Sequence, residues 1–200
     1  MIDSLIPSNL ILAIILGFFL GSIPLAMLLS RIQGVDIFST GTGLAGAANV
    51  YRNVGPISGA LVLTGDTAKG VLAVTVAYRL GLEGEVVLLP ALAALLGHWR
   101  SVFTKFRGGD GLSTLLGITM AMIPLYGVLA VMTGATVAFI ARGMGHHASL
   151  WGGTAGYGFL LIRSPEASVE ISVVLGVVLL ALLVLAHGVV GHRRRRTASP

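Results

Sequence analysis

Three polar, glycine-rich stretches interrupt an otherwise apolar chain, and each carries groups suited to holding an anion. The first, Gly34–Gly55, reads GVDIFSTGTGLAGAANVYRNVG. Gly41, Gly43 and Gly46 permit turns whose backbone amides converge on one point. Thr42 adds a hydroxyl, Asn49 an amide and Arg52 a planar cationic fork suited to phosphate. The competing reading is a loop with a helix cap. The second feature is Asp66 with Lys69, three residues apart inside an apolar run, hence on one helical face and able to pair. An ion pair within a membrane is costly and marks a site or pathway, unless it is a structural pair near the interface. The third stretch, Gly97–Thr114, reads GHWRSVFTKFRGGDGLST. Arg107-Gly108-Gly109-Asp110-Gly111 leads into an apolar run, and a glycine-rich turn at a helix start presents unpaired amides. Lys105 and Arg107 reinforce such a site; Asp110 opposes it unless it caps the helix or pairs with an arginine. His98 is a candidate general base, or a hydrogen-bonded structural histidine.

Other chemistry is set aside. His146 and His147 are adjacent, so on a helix they point apart and make a poor metal pair. No metal site is expected. The chain has no cysteine, which removes disulfides, thiolate nucleophiles and cysteine-bound metal. It also lacks an H-E-x-x-H, a phosphate-binding Walker loop and a G-x-S-x-G elbow.

These groups need a scaffold, and the composition names its class. Of 200 residues 55% are hydrophobic and 10% charged, and the mean hydropathy is +0.93. Soluble domains carry about 25% charged residues, so the apolar surplus here must face lipid. Apolar runs at Asn9–Arg31, Ile57–Leu80, Val86–Val102, Leu112–Ile123, Leu125–Ala141, Ser149–Ile162 and Ile171–Val190 predict about seven transmembrane helices. The fourth and fifth, separated by Pro124, form a tight hairpin or one kinked helix. None alternates as barrel strands would. The expected fold is an all-α membrane protein, a polytopic bundle: one transmembrane domain over residues 1–191 and a basic cytoplasmic tail over 192–200.

Seven spans put the termini on opposite sides. With the tail in the cytoplasm, Arg31, Arg52, Arg100, Lys105, Arg107, Arg142 and Arg193–Arg196 fall inside, ten of the 13 lysines and arginines. Asp3, Glu83, Glu85, Glu166 and Glu170 fall outside, as the positive-inside rule demands. Residues 1–31 lack a basic start and a small-residue cleavage site, so an uncleaved first span is expected. The basic tail reads as an anchor to anionic lipid; without interleaved aromatics it does not read as a nucleic-acid site.

Taken in order, Gly21-Ser22-Ile23-Pro24, Gly41-Thr42-Gly43-x-x-Gly46-x-x-Asn49-x-x-Arg52, Asp66-x-x-Lys69-Gly70, Gly97-His98 and Arg107-Gly108-Gly109 resemble the bacterial acyl-phosphate:glycerol-3-phosphate acyltransferases. Arg142, Ser149 and His187 extend the resemblance over nearly the whole chain. It implies a small seven-span inner-membrane enzyme that moves a fatty acyl group from acyl-phosphate to the 1-hydroxyl of glycerol 3-phosphate, without cofactor or metal. The product is lysophosphatidic acid. Its partners are then the two phosphorylated substrates and membrane lipids; oligomeric state is unspecified. By resemblance Thr42, Gly43, Asn49, Arg52, Arg107, Gly108, Gly109 and Ser149 bind substrate phosphate, and Lys69, His98 and His187 serve catalysis. The chain departs from the family pattern at Leu44 (usually Asn), Ser101 (usually Pro), Asp110 (usually Lys), and Gly188 and Val190 (usually Arg and Asn). Those departures motivate two alternatives, a weakened paralogue that binds an anionic lipid and a small transporter lined by Asp66 and Lys69.

Overall fold

A computed structural model describes residues 8–141, 148–166 and 169–196. Among these residues every regular element is helical. The helices are α1 (Ser8–Ser22), α2 (Leu25–Ile32), α3 (Ala47–Asn53), α4 (Pro56–Arg79), α5 (Leu88–Trp99), α6 (Leu112–Met122), α7 (Pro124–Ile140), α8 (Ala148–Arg163) and α9 (Ile171–Arg196).

The seven expected spans correspond to α1 with α2, and to α4 through α9, but they are unequal. Four stretches are long and apolar enough to cross a bilayer: Ser8–Ile32, Pro56–Arg79, Gly84–Thr104 and Ile171–Val189. By contrast α6 has 11 residues. At 1.5 Å per residue that is about 16 Å, roughly half the hydrocarbon thickness. It starts at the end of the polar 100–111 turn, and irregular backbone at such depth survives only where protein covers it. Pro124 resolves as a turn-back, not a kink. A Cβ on Gly127 would lie 2.5 Å from the Thr119 carbonyl oxygen; in a continuous helix those residues would be about 12 Å apart. Helix α9 continues past its apolar span, which ends at Val189, through Arg196, so the basic residues that follow the span are helical.

Glycine brings the helices close. A Cβ on Gly21 would sit 1.9 Å from the Ala94 carbonyl oxygen and one on Gly97 2.1 Å from that of Phe18, so α1 and α5 meet backbone to backbone. Gly70 and Gly117 do the same between α4 and α6. Around these seams lies one apolar core, with Val74, Leu95, Leu115, Ile118, Val174 and Val177 essentially inaccessible. A second, smaller core of Ala26, Ile37, Ala45, Val50 and Val62 fastens the 34–46 loop and α3 onto α2 and the first half of α4.

Candidate active site

The site originates in a broken helix. Pro24 has no amide hydrogen, and it drives Ile23 out of helical conformation, so α1 stops at Ser22. The Leu25 amide turns to the Ile23 carbonyl (3.1 Å) and no longer serves that of Gly21. Carbonyls at the negative end of α1 are thereby released inside the protein. Lys69, halfway along α4, takes two of them: its Nζ donates to Gly21 O (3.2 Å) and Ile23 O (2.8 Å). A third, Ser22 O, accepts from the Ser101 hydroxyl at 2.5 Å. Asp66, one turn before Lys69, closes the arrangement at 2.7 Å; the two side chains are 2% and 5% exposed.

An ammonium has three hydrogens, and Gly21, Ile23 and Asp66 account for them. Lys69, expected to act directly on substrate, is therefore held on protein acceptors. It also lies 3.4 Å from His98 Nδ1. His98 ends α5, and the Thr114 hydroxyl of α6 approaches the same nitrogen at 3.4 Å. The other ring nitrogen, Nε2, is buried with no hydrogen-bond partner.

From Ser101 onward the chain forms a tight knot. The Phe106 amide returns to Ser101 O (2.9 Å), and Thr104 bonds to both Ser101 O and Arg107 O. Lys105 and Phe106 adopt φ of 55° and 60°, a left-handed pair that L-residues resist. The glycines that follow were expected to cradle phosphate with their amides. Gly109 does not, since its amide donates to His98 O (3.2 Å). Both are glycine because the backbone is crowded: a Cβ on Gly108 would fall 2.0 Å from His98 O, and one on Gly109 2.4 Å from His98 Nε2. Asp110 is the cap allowed for in the sequence reading; its Oδ1 accepts from the Leu112 amide at 3.0 Å. Arg107 is exposed, with its guanidinium 4.2 Å above the Phe38 ring.

A small space opens between these parts, walled by the α1–α2 break and by Lys69, His98, Arg107, Gly108 and Gly109. The remaining expected residues lie around it. Asn49 is committed to its own loop. Its amide donates to Thr40 O and Leu44 O (3.0 Å each) and accepts from the Thr42 amide (3.2 Å) and from Asn53. These bonds shape the Gly41–Gly46 turn. Gly43 is buried within that turn, and Thr42 is half-buried with its hydroxyl toward the Leu44 amide. Arg52 stands exposed on the last turn of α3. His187, expected to be catalytic, stacks on Trp99 with ring centroids 4.5 Å apart, and Trp99 Nε1 donates to Asp110 O at 2.8 Å. It steadies the 108–111 turn from behind. Ser149 lies on α8, but its side chain is outside the described residues, as are Arg142, the Val190 side chain and those of the tail arginines. Thr114 and Trp99 are not among the residues the sequence singles out, and Ser22 and Ser101 are named there without a role. Pro24 inside a span signals the role of Ser22 and Ser101, and nothing signals Thr114. Among the described residues no three His, Cys, Asp or Glu side chains converge as metal ligands.

Comparison with known proteins places this arrangement. The family model described as Glycerol-3-phosphate acyltransferase matches residues 11–195. A glycerol-3-phosphate acyltransferase of Geobacter sulfurreducens is 44% identical over 131 residues, 64% of this chain and 68% of that protein. One from Rubrobacter xylanophilus is 37% identical over 170 residues, 85% of each. Among the Geobacter, Trichlorobacter and Geotalea relatives the matched stretch spans from 56% to 68% of their length. The crystal structure of PlsY, an integral membrane glycerol 3-phosphate acyltransferase in its glycerol 3-phosphate form, superposes with a TM-score of 0.79 at 26% identity. The match covers 95% of this chain and 93% of that one.

Proposed function

We propose, from the premise that this chain belongs to the glycerol-3-phosphate acyltransferase family, that its polar junction acylates glycerol 3-phosphate within the membrane and that the acyl donor is an acyl-phosphate. The 1-hydroxyl of glycerol 3-phosphate attacks the acyl carbon, the bond from that carbon to the phosphate oxygen breaks, and lysophosphatidic acid and inorganic phosphate form. The hydroxyl proton passes to the departing phosphate, itself a competent base. An acyl-phosphate is already activated, so positioning and charge stabilisation suffice and the scheme calls for no cofactor.

The observation that carries this reading is the meeting of His98, Arg107 and the Gly108–Gly109 turn around one space at the α1 break. Arg107 supplies an exposed cation at its mouth, and Thr42 and Arg52 stand on the neighbouring loop and α3 as guides for the incoming phosphate. Charge asymmetry supports a cytoplasmic position for this end of the bundle, in a bacterial inner membrane with the N-terminus outside. The transport alternative loses its motif, because Asp66 and Lys69 neutralise each other at 2.7 Å. A test supplies the purified protein in lipid with acyl-phosphate and labelled glycerol 3-phosphate. Lysophosphatidic acid in the wild type, and a loss on the order of 10²-fold in Arg107→Ala, is expected; no product above a protein-free control contradicts the proposal.

Asp110 favours the second reading, a chain that binds phosphorylated lipid but turns over slowly, because its carboxylate lies at the start of α6. In that case Asp110→Asn, which keeps the cap and removes the charge, raises turnover.

A further inference from the structure

We infer that His98 acts as a hydrogen-bond donor through Nε2 to a phosphoryl oxygen of the substrate, with its tautomer imposed by Lys69, and is not a general base. The inference rests on the acyl-transfer reading above and assigns the chemistry of one residue within it.

The argument is one of hydrogen counting. Lys69 has donors only, and its Nζ lies 3.4 Å from His98 Nδ1. A hydrogen on Nδ1 would point at a positive ammonium; a lone pair there is attracted to it. The Lys69 charge cannot move away, since Gly21 O, Ile23 O and Asp66 hold it in place. The Thr114 hydroxyl, at 3.4 Å from the same nitrogen, accommodates either arrangement because it can donate or accept. Nδ1 therefore accepts, and the neutral ring carries its one hydrogen on Nε2.

That nitrogen has no partner, and a buried donor without an acceptor is disfavoured in a folded protein. Its position explains what it awaits. His98 and Gly109 both line the space where substrate is placed. A phosphoryl oxygen arriving there gains a donor, and the ring loses its orphan. A base would need the opposite tautomer, with Nε2 bare and the Nδ1 hydrogen facing Lys69. Lys69 is then a positioning residue: it sets the proton on His98 without touching substrate.

Histidine-selective ¹⁵N labelling of the wild-type protein in detergent tests this directly, with the His98 signals assigned by their disappearance in His98→Gln. The expected result is the hydrogen on Nε2 and a change in that signal as inorganic phosphate is added. A hydrogen on Nδ1, or no response of the His98 signals to phosphate, overturns the inference. Kinetics give a second reading, since the glutamine amide can present a donor near the Nε2 position. His98→Gln is expected to keep turnover within about tenfold of wild type while His98→Ala loses on the order of 10²- to 10³-fold; equal loss in both contradicts the donor role. If the wild type forms lysophosphatidic acid and the tautomer is wrong, only the inference fails. If it forms none, the functional reading fails with it.

Discussion

Two prolines interrupt this bundle, and only one of them makes a site. Pro24 ends α1 and Pro124 separates α6 from α7. Around Pro124 the freed groups are satisfied locally: the Ile123 amide bonds to Thr119 O and the Gly127 amide to Ile123 O, between buried Met122 and Ile123 and with no charge in the adjoining turns. Around Pro24 the freed carbonyls are satisfied from afar, by Lys69 and Ser101. A proline break alone reverses the chain. A break whose carbonyls face a buried ammonium fixes a cation, and through it a histidine, beside the space that Arg107, Gly108 and Gly109 also line.

The sharpest way to break this comparison is to remove the cation. Lys69→Met leaves Asp66 buried and unpaired and strips the α1 carbonyls of their donor. A loss of about 3–5 kcal/mol is expected, seen as a fall in the melting temperature of the purified protein; an unchanged melt would mean the pair is not buried. Next comes the break itself. Pro24→Ala lets α1 reclaim its carbonyls and displaces the space, with turnover expected to fall about 10²-fold. Pro124→Ala is expected to leave turnover within about twofold, since no reacting group depends on that turn. Equal effects of the two in a lysophosphatidic acid assay would erase the distinction.

Glycines allow a finer test. A Cβ on Gly109 meets His98 Nε2 at 2.4 Å, while one on Gly134, in the α7–α8 seam, meets the α8 backbone, with the Gly152 carbonyl oxygen nearest at 2.8 Å. Both alanine variants are expected to cost about 1–3 kcal/mol of stability. Only Gly109→Ala is expected to lower kcat/KM in the fraction that remains folded. The smallest effect belongs to Phe38. Replacing it with Leu removes the ring beneath Arg107, worth about 0.5–1 kcal/mol at an exposed site, and a modest rise in KM for glycerol 3-phosphate is expected in initial-rate measurements.

The helices were legible because runs of about 20 apolar residues admit few other structures in lipid. The polar stretches were legible as places, since charge and glycine density mark them, and the cap formed by Asp110 was one of the stated options. Their internal roles were not. Asn49 reads as a substrate ligand because sequence displays its amide but not the backbone groups of residues 40, 42 and 44 that engage it. The pairing of Lys69 with Asp66 is legible from their spacing, but its other two acceptors lie far away in the chain, in carbonyls that exist as acceptors only once Pro24 breaks α1. Gly108 and Gly109 read as an amide cradle, whereas crowding against His98 dictates them. His187 reads as catalytic because its stacking on Trp99 depends on how α9 packs against α5. In each case the structure adds a partner supplied by tertiary packing that the sequence does not display.

If the buried cation at the α1 break serves the reaction as well as the fold, removing it must slow acyl transfer even where stability is kept. Replacing Asp66 and Lys69 together with apolar residues of similar volume, as Asp66→Leu with Lys69→Met, removes the charges without leaving either unpaired, so much of the stability lost in Lys69→Met should return. The decisive measurement is the acyl-transfer rate of that folded double variant. The account predicts a rate lower by on the order of 10²-fold, because His98 has lost the ammonium that fixes its hydrogen; a double variant that folds and turns over at the wild-type rate would contradict it.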